Sequence, residues 1–196
     1  MNTMIKESLY YGKILLFGEY GIIQDSMGLS IPYTDYNGKF LFENNTEESK
    51  NSNLLLIDFY NHLLILQNKN ELPCNLDLNQ LKSDLDNGLH FDSSIPQGFG
   101  IGSSGAIVAA IYDRYCVEKK IDAESQISNE NILELKNTFS KLESFYHGTS
   151  SGLDPLICYL KLPVLIKSKN EIGTVGIPAS ADGNGAIFLL NTGQAG

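Results

Sequence analysis

Positive charge is scarce in this chain. Lys and Arg total 14 against 23 Asp and Glu, a net charge of -9, and the lysines are scattered, with only short clusters such as Lys119-Lys120. Gripping nucleic acid needs a basic stripe that neutralises phosphates, so neither nucleic acid nor an anionic membrane is an expected partner. Cysteine is equally sparse. Cys74, Cys116 and Cys158 are odd in number, far apart and without a C-x-x-C pair, which excludes zinc-ligand spacing and a disulfide framework. Reduced thiols packed as small apolar groups are expected. No run approaches the roughly 20 apolar residues of a membrane span, and Met1 to Tyr11 lacks a basic region followed by a long apolar one, so no signal peptide is expected. A soluble, cytoplasmic protein fits these absences. What is present is core material: 42% hydrophobic and 10% aromatic over 196 residues, enough for one ordinary domain with some chain left over.

The patterning predicts mixed helices and strands. KILLF at residues 13–17 reads as a short buried strand ending at Gly18. Leu29–Pro32 and Lys39–Glu43 read as further strands, with Tyr36-Asn37-Gly38 as a turn between them. Residues 44–52 read as an exposed loop, and Asn53 as the cap of a helix over Leu54–Leu66. A short helix is expected within residues 76–85 and a strand over 89–94. Ser104 to Val117 is almost wholly apolar until Asp113, as expected of a helix buried at its first turns. Ile132, Leu135, Phe139, Leu142 and Tyr146 recur at three- and four-residue steps, the spacing of an amphipathic helix. Asp154-Pro155 can open another helix, with strands near 163–167 and 186–190. The chain stops soon after that last strand, so a fragment lacking most of a second domain is expected.

Three segments carry candidate chemistry. Ile95–Gly105, IPQGFGIGSSG, lies between a strand pattern and a helix pattern. Clustered glycines let backbone N–H groups approach an anion, and the helix beginning near Ser104 aims its positive end at the same place. No lysine follows, so it is not a Walker loop, and Ser103 takes the place of a dinucleotide fingerprint's third glycine. A ligand-free glycine turn is the plain alternative. In ESFYHGTSSGLD, residues 143–154, Glu143 lies at the edge of an apolar helix face and Asp154 follows a Ser/Thr/Gly loop. Two such carboxylates can divide the work of phosphoryl transfer, one holding Mg2+ and one accepting a hydroxyl proton. Alternatively, Glu143 is a solvated flank residue and Asp154 a helix cap. In GKILLFGEY, residues 12–20, Lys13 heads an apolar strand, where an exposed lysine is common.

Together the three segments resemble the N-terminal motifs of the GHMP kinase superfamily, in the same order and spacing. The best likeness is to mevalonate kinases, whose patterns read GKVILFGEH, P-x-G-x-G-L-G-S-S-A and E-x-x-x-H-G-x-P-S-G-x-D, and it extends over essentially the whole chain. The resemblance implies an α+β fold, with a ribosomal-protein-like βα sandwich over residues 1–180. Residues 181–196 would begin a ferredoxin-like C-terminal domain. It implies ATP and Mg2+ as cofactors and a small alcohol as substrate, and it leaves room for a homodimer. Gly98, Phe99, Gly100, Ile101, Gly102, Ser103 and Ser104 would wrap the ATP phosphates, with Ser93 near the nucleotide. Ser104 and Glu143 would ligate Mg2+, and Asp154 would take the substrate's hydroxyl proton. Lys13 would stand beside Asp154 and stabilise charge on the attacking oxygen, with Glu19 and Tyr20 facing the substrate.

There are departures. Tyr20 stands where mevalonate kinases usually have His, Ser150 replaces Pro, and Gly105 replaces Ala; the last two read as mild. Thr34-Asp35-Tyr36-Asn37-Gly38 matches a galactokinase pattern but lies too far from Gly18-Glu19 to hold the same sugar-binding position. The expected activity is phosphorylation of mevalonate. A sugar, a sugar phosphate or homoserine is the alternative substrate, and a catalytically idle nucleotide- or partner-binding domain is the alternative role.

Overall fold

The computed structural model describes residues 8–18, 27–42, 45–119, 121, 127–168 and 171–176. Five strands, β1 (Tyr10–Phe17), β2 (Gly28–Leu41), β3 (His90–Ser93), β4 (Val164–Ser168) and β5 (Glu171–Thr174), form one antiparallel sheet. β2 organises it. One side of this strand pairs with β1, while its two ends pair with β4 at Gly28–Ser30 and with β3 at Gly38–Leu41. The expected turn at Tyr36-Asn37-Gly38 is not made. The strand runs through it, and the turn-prone residues appear as a bulge instead, where Tyr11 opposes Asn37 but Gly12 opposes Tyr33. Pairing on both sides of β2 favours a continuous strand over a local turn.

Five helices complete the described chain: α1 (Glu47–Asn68), α2 (Leu78–Asp86), α3 (Ser103–Tyr115), α4 (Asn129–His147) and α5 (Leu153–Leu160). α3 and α5 pack on each other and on β1 and β2, and α4 packs across both. In α3, Ala106, Val108, Ala109, Ala110 and Ile111 are buried, as are Ile132, Leu135, Phe139 and Leu142 of α4, so the helical spacing read from the sequence faces the core.

α1 begins two turns earlier than expected. Thr46 caps it, with a reciprocal capping box to Ser49. Asn53 lies inside the helix, buried, and donates its side-chain amide to the carbonyls of Leu85 and Leu89 at 3.2 and 2.6 Å. Ser52 Oγ both donates to and accepts from the Phe91 backbone, each at 2.9 Å. The first turns of α1 are polar because they satisfy backbone groups of β3 and of the chain leading to it, not because they are loop. All three cysteines are free.

Candidate active site

The glycine-rich segment joins β3 to α3. Gly98, Gly100 and Gly102 have φ of 79°, 68° and 83°, a region that residues with a Cβ rarely enter. Gly102 is also the N-cap of α3 and offers it no side-chain cap. The first-turn N–H groups and positive dipole end of α3 therefore face the loop without a capping side chain. The loop is anchored to β1 through Lys13, whose backbone N–H donates to the Ile101 carbonyl at 2.8 Å. Ile101 is buried and Phe99 is exposed. Ser103 and Ser104 are the first residues of α3.

α5 opens in the same manner, from a left-handed glycine (Gly152, φ 74°) with no side-chain cap hydrogen bond. Asp154 lies in its first turn, so the expectation of Asp154 as a cap is corrected: its carboxylate is free of capping duty. The starts of α3 and α5 touch. A Cβ on Gly105 would stand 2.8 Å from the Asp154 carbonyl carbon and from Pro155 N. Gly105 is therefore more than a mild replacement of Ala, because only glycine admits this approach without moving backbone.

Lys13, in the middle of β1, reaches the same place. Its Nζ lies 2.9 Å from Asp154 Oδ1, with the two side chains 12% and 33% exposed. Glu143, from the last turns of α4, is 3% exposed, which overturns the reading of it as a solvated flank residue. Ser104 Oγ donates to Glu143 Oε1 at 3.1 Å, and Ser150 Oγ donates to Oε2. Burial pushes the Glu143 carboxyl above its ordinary value and the nearby Asp154 charge adds to this. The serine hydrogen bonds and His147 offset the rise only in part.

Two further side chains to which the sequence reading gave no role meet this cluster. His147 Nε2 lies 3.0 Å from Ser104 Oγ. Its place four residues after Glu143 on one helix was the available signal. In the sequence Ser150 reads only as a mild replacement of Pro in the motif, and its departure from that pattern is the signal. Ser93 sits apart from this cluster, its Oγ accepting the Ile95 N–H at 3.1 Å. Glu19, Tyr20 and residues 181–196 lie outside the described residues.

A cavity of about 630 Å³ runs along the loop, lined by Gly98, Gly100, Gly102, Ser103, Ser104, Tyr146, His147 and Asp154 among others. A neighbouring cavity of about 390 Å³ contains Ser93 and shares Leu55, Gln97, Ser103 and Ile107 with the first. The two cavities adjoin along these shared residues, beside the glycine loop and the start of α3. Among the described residues, no group of three or more His, Cys, Asp or Glu side chains could cage a metal. Glu143 and Ser104 instead present one carboxylate and one hydroxyl, both hard oxygens. Mg2+ is commonly held in this way, by one or two carboxylates, with water and substrate phosphates filling the other positions. The donor set fits Mg2+.

Residues 74–161 match the family model of the GHMP kinases N terminal domain. The match supports the GHMP kinase superfamily. It spans the glycine loop, Ser104, Glu143 and Asp154, whereas Lys13 lies before it. The mixed α/β architecture with its antiparallel sheet is consistent with a GHMP N-terminal domain. That family suggests an ATP-dependent kinase acting on a small molecule. No curated protein matches the chain significantly. Among the described residues, no helix is long and apolar enough to cross a membrane.

Proposed function

We propose that the chain carries the ATP-binding, catalytic half of a kinase that phosphorylates the hydroxyl of a small alcohol, mevalonate being the leading candidate. The observation that carries this reading is the pairing of Lys13 with Asp154 at 2.9 Å, beside the uncapped start of α3 and the Glu143–Ser104 pair. In this reading the base and the phosphate cradle line one cleft through Asp154 and the Gly98–Ser104 loop, with the cation Lys13 and the metal donor Glu143 bonded to cleft residues.

In this reading Gly98–Ser104 wrap the ATP phosphates through backbone N–H groups and the α3 dipole. Ser104 and Glu143 hold Mg2+, which when bound neutralises phosphate charge. Asp154 accepts the proton of the substrate hydroxyl. The oxygen forms a bond to the γ-phosphorus as the bond to the β-phosphate oxygen breaks, giving a phosphate ester, ADP and one proton. The Lys13 ammonium stabilises charge gathering on the attacking oxygen and the phosphoryl group. Glu19 and Tyr20 face the substrate. In the same proposal residues 1–180 form the N-terminal domain, a ribosomal-protein-like βα sandwich, and residues 181–196 begin a ferredoxin-like one.

The test is ADP release by the full-length protein with ATP, Mg2+ and a panel of mevalonate, phosphomevalonate, homoserine, galactose and other sugars. Turnover on mevalonate alone is expected. Turnover on another alcohol keeps the mechanism and moves the substrate. ATP binding without turnover on any of them defeats the kinase reading in favour of an idle domain.

A further inference from the structure

The loop between α4 and α5 is more tightly specified than a connection of its length requires. Ser140 Oγ, on α4, donates to the Ser150 carbonyl. The Ser150 hydroxyl donates to Glu143 Oε2 and accepts the Gly152 N–H, the latter at 3.0 Å. Gly152 has a positive φ, and a Cβ there would lie 2.1 Å from the Lys136 carbonyl oxygen and 2.6 Å from Ser140 N, so the loop presses directly on the α4 backbone. Asp154 follows two residues later. Ser150 therefore bonds at once to a carboxylate carried by α4 and to the backbone from which α5, with the other carboxylate, begins. Glu143 receives one serine on each oxygen: Ser104 at the cleft, Ser150 behind it. A proline at position 150 could make neither side-chain contact.

We propose that Ser150 is a positioning residue, whose hydroxyl orients the Glu143 carboxylate toward the cleft and fixes its separation from Asp154. The proposal rests on the reading of Glu143 as a metal ligand. Groups that hold a ligating carboxylate from behind set its direction and charge distribution, and their loss lowers metal affinity by roughly 10- to 100-fold. A hydroxyl that only closed the loop would affect stability and leave the metal requirement unchanged.

The experiment uses the full chain bound to a non-hydrolysable ATP analogue. It measures Mn2+ affinity by the paramagnetic signal of free Mn2+, alongside the Mg2+ concentration for half-maximal turnover and thermal unfolding. Ser150→Ala is expected to weaken Mn2+ binding and raise the Mg2+ requirement by roughly 10-fold or more, and Ser150→Thr, which keeps the hydroxyl, to restore both. Ser150→Cys, nearly isosteric but a weak donor, replaces the alanine variant if that does not fold. Glu143→Gln separates the two levels of the claim. Weakened Mn2+ binding in Glu143→Gln with none in Ser150→Ala overturns the role of Ser150 and leaves Glu143 as ligand. Unchanged binding in Glu143→Gln removes the metal reading itself, and the Ser150 proposal with it.

Discussion

The two ends of α3 solve the problem of a buried carboxylate differently. At the C-terminal end, Asp84 is buried and accepts from Arg114 Nε and Nη2 at 3.0 and 2.8 Å and from the Tyr115 hydroxyl at 2.7 Å. Half-buried Asp113, one residue before Arg114 on the same helix, accepts from Lys119 Nζ and the Tyr10 hydroxyl, both at 2.7 Å. Both carboxylates are matched by a cation from the chain. At the N-terminal end, Glu143 is just as deeply buried but is held by serine hydroxyls. The first arrangement closes its charges on themselves and serves stability. The second holds its carboxylate through hydroxyls with no lysine or arginine among the described residues bonded to it, and under the proposed function it is this carboxylate that takes a cation from solution.

The comparison breaks most visibly in turnover. Asp154→Asn should lower kcat by about 10²- to 10⁴-fold, the usual contribution of a positioned base, while ATP binding is largely spared. Retained turnover in steady-state assays rejects Asp154 as base, and collapse of the fold assigns it to structure. The far end should behave in the opposite sense. Arg114→Ala strands Asp84 and should cost about 3 kcal/mol of stability in urea unfolding, with kcat of the folded fraction unchanged. A loss of kcat there would show that the two ends are not separate. Gly105→Ala tests the join between the helix starts. Its methyl group meets the Asp154–Pro155 backbone and should cost about 1–3 kcal/mol together with activity. Full activity would mean that α5 can shift without disturbing Asp154.

The smallest effect is a difference in pH response. Glu143 titrates above its ordinary value of 4.5, chiefly through burial. The folded state binds that proton more tightly than the unfolded state, so its penalty, present at neutral pH, fades as pH falls through the folded value. Burial also acts to raise Asp113, but the hydrogen bonds from Lys119 and Tyr10 and the charges of Lys119 and Lys161 outweigh it, leaving it below 3.8. Its contribution is present above the unfolded value and is lost as pH falls through the folded one. Without metal, Glu143→Gln should thus be more stable than wild type near neutrality, and Asp113→Asn less stable. The first gap closes on mild acidification and the second only at lower pH. Unfolding midpoints across pH for the three proteins measure both gaps, and gaps of the same sign would refute the contrast.

Much of this was legible from short stretches. The glycines at 98, 100 and 102 marked a backbone that needs positive φ, and the spacing from Ile132 to Leu142 marked a buried helix face. Both signals are local. What escaped the sequence depended on partners far along the chain. Tyr36-Asn37-Gly38 carried turn chemistry, but pairing with β1 and β3 held it in a strand. Ser49 and Ser52 looked like loop and Asn53 like a cap because their polarity serves the true cap at Thr46, β3 and the chain before it, the last two 32 residues or more away. Glu143 could not be known as buried until α3 and the 148–152 loop closed over it, nor Gly105 as obligatory until α5 arrived against it.

The hydrogen bond from the Lys13 backbone to Ile101 has a consequence for solubility. β1 is a terminal strand of the described sheet, and an open strand of this kind invites pairing with another molecule. Ile101 occupies part of that outer row of N–H groups. At the opposite border, Asn129 Oδ1 accepts from the Ile172 N–H of β5 at 2.9 Å. The segment that would cradle phosphate thus also blunts one margin of the sheet, and a lesion that frees the loop should lead to self-association as well as to lost nucleotide binding.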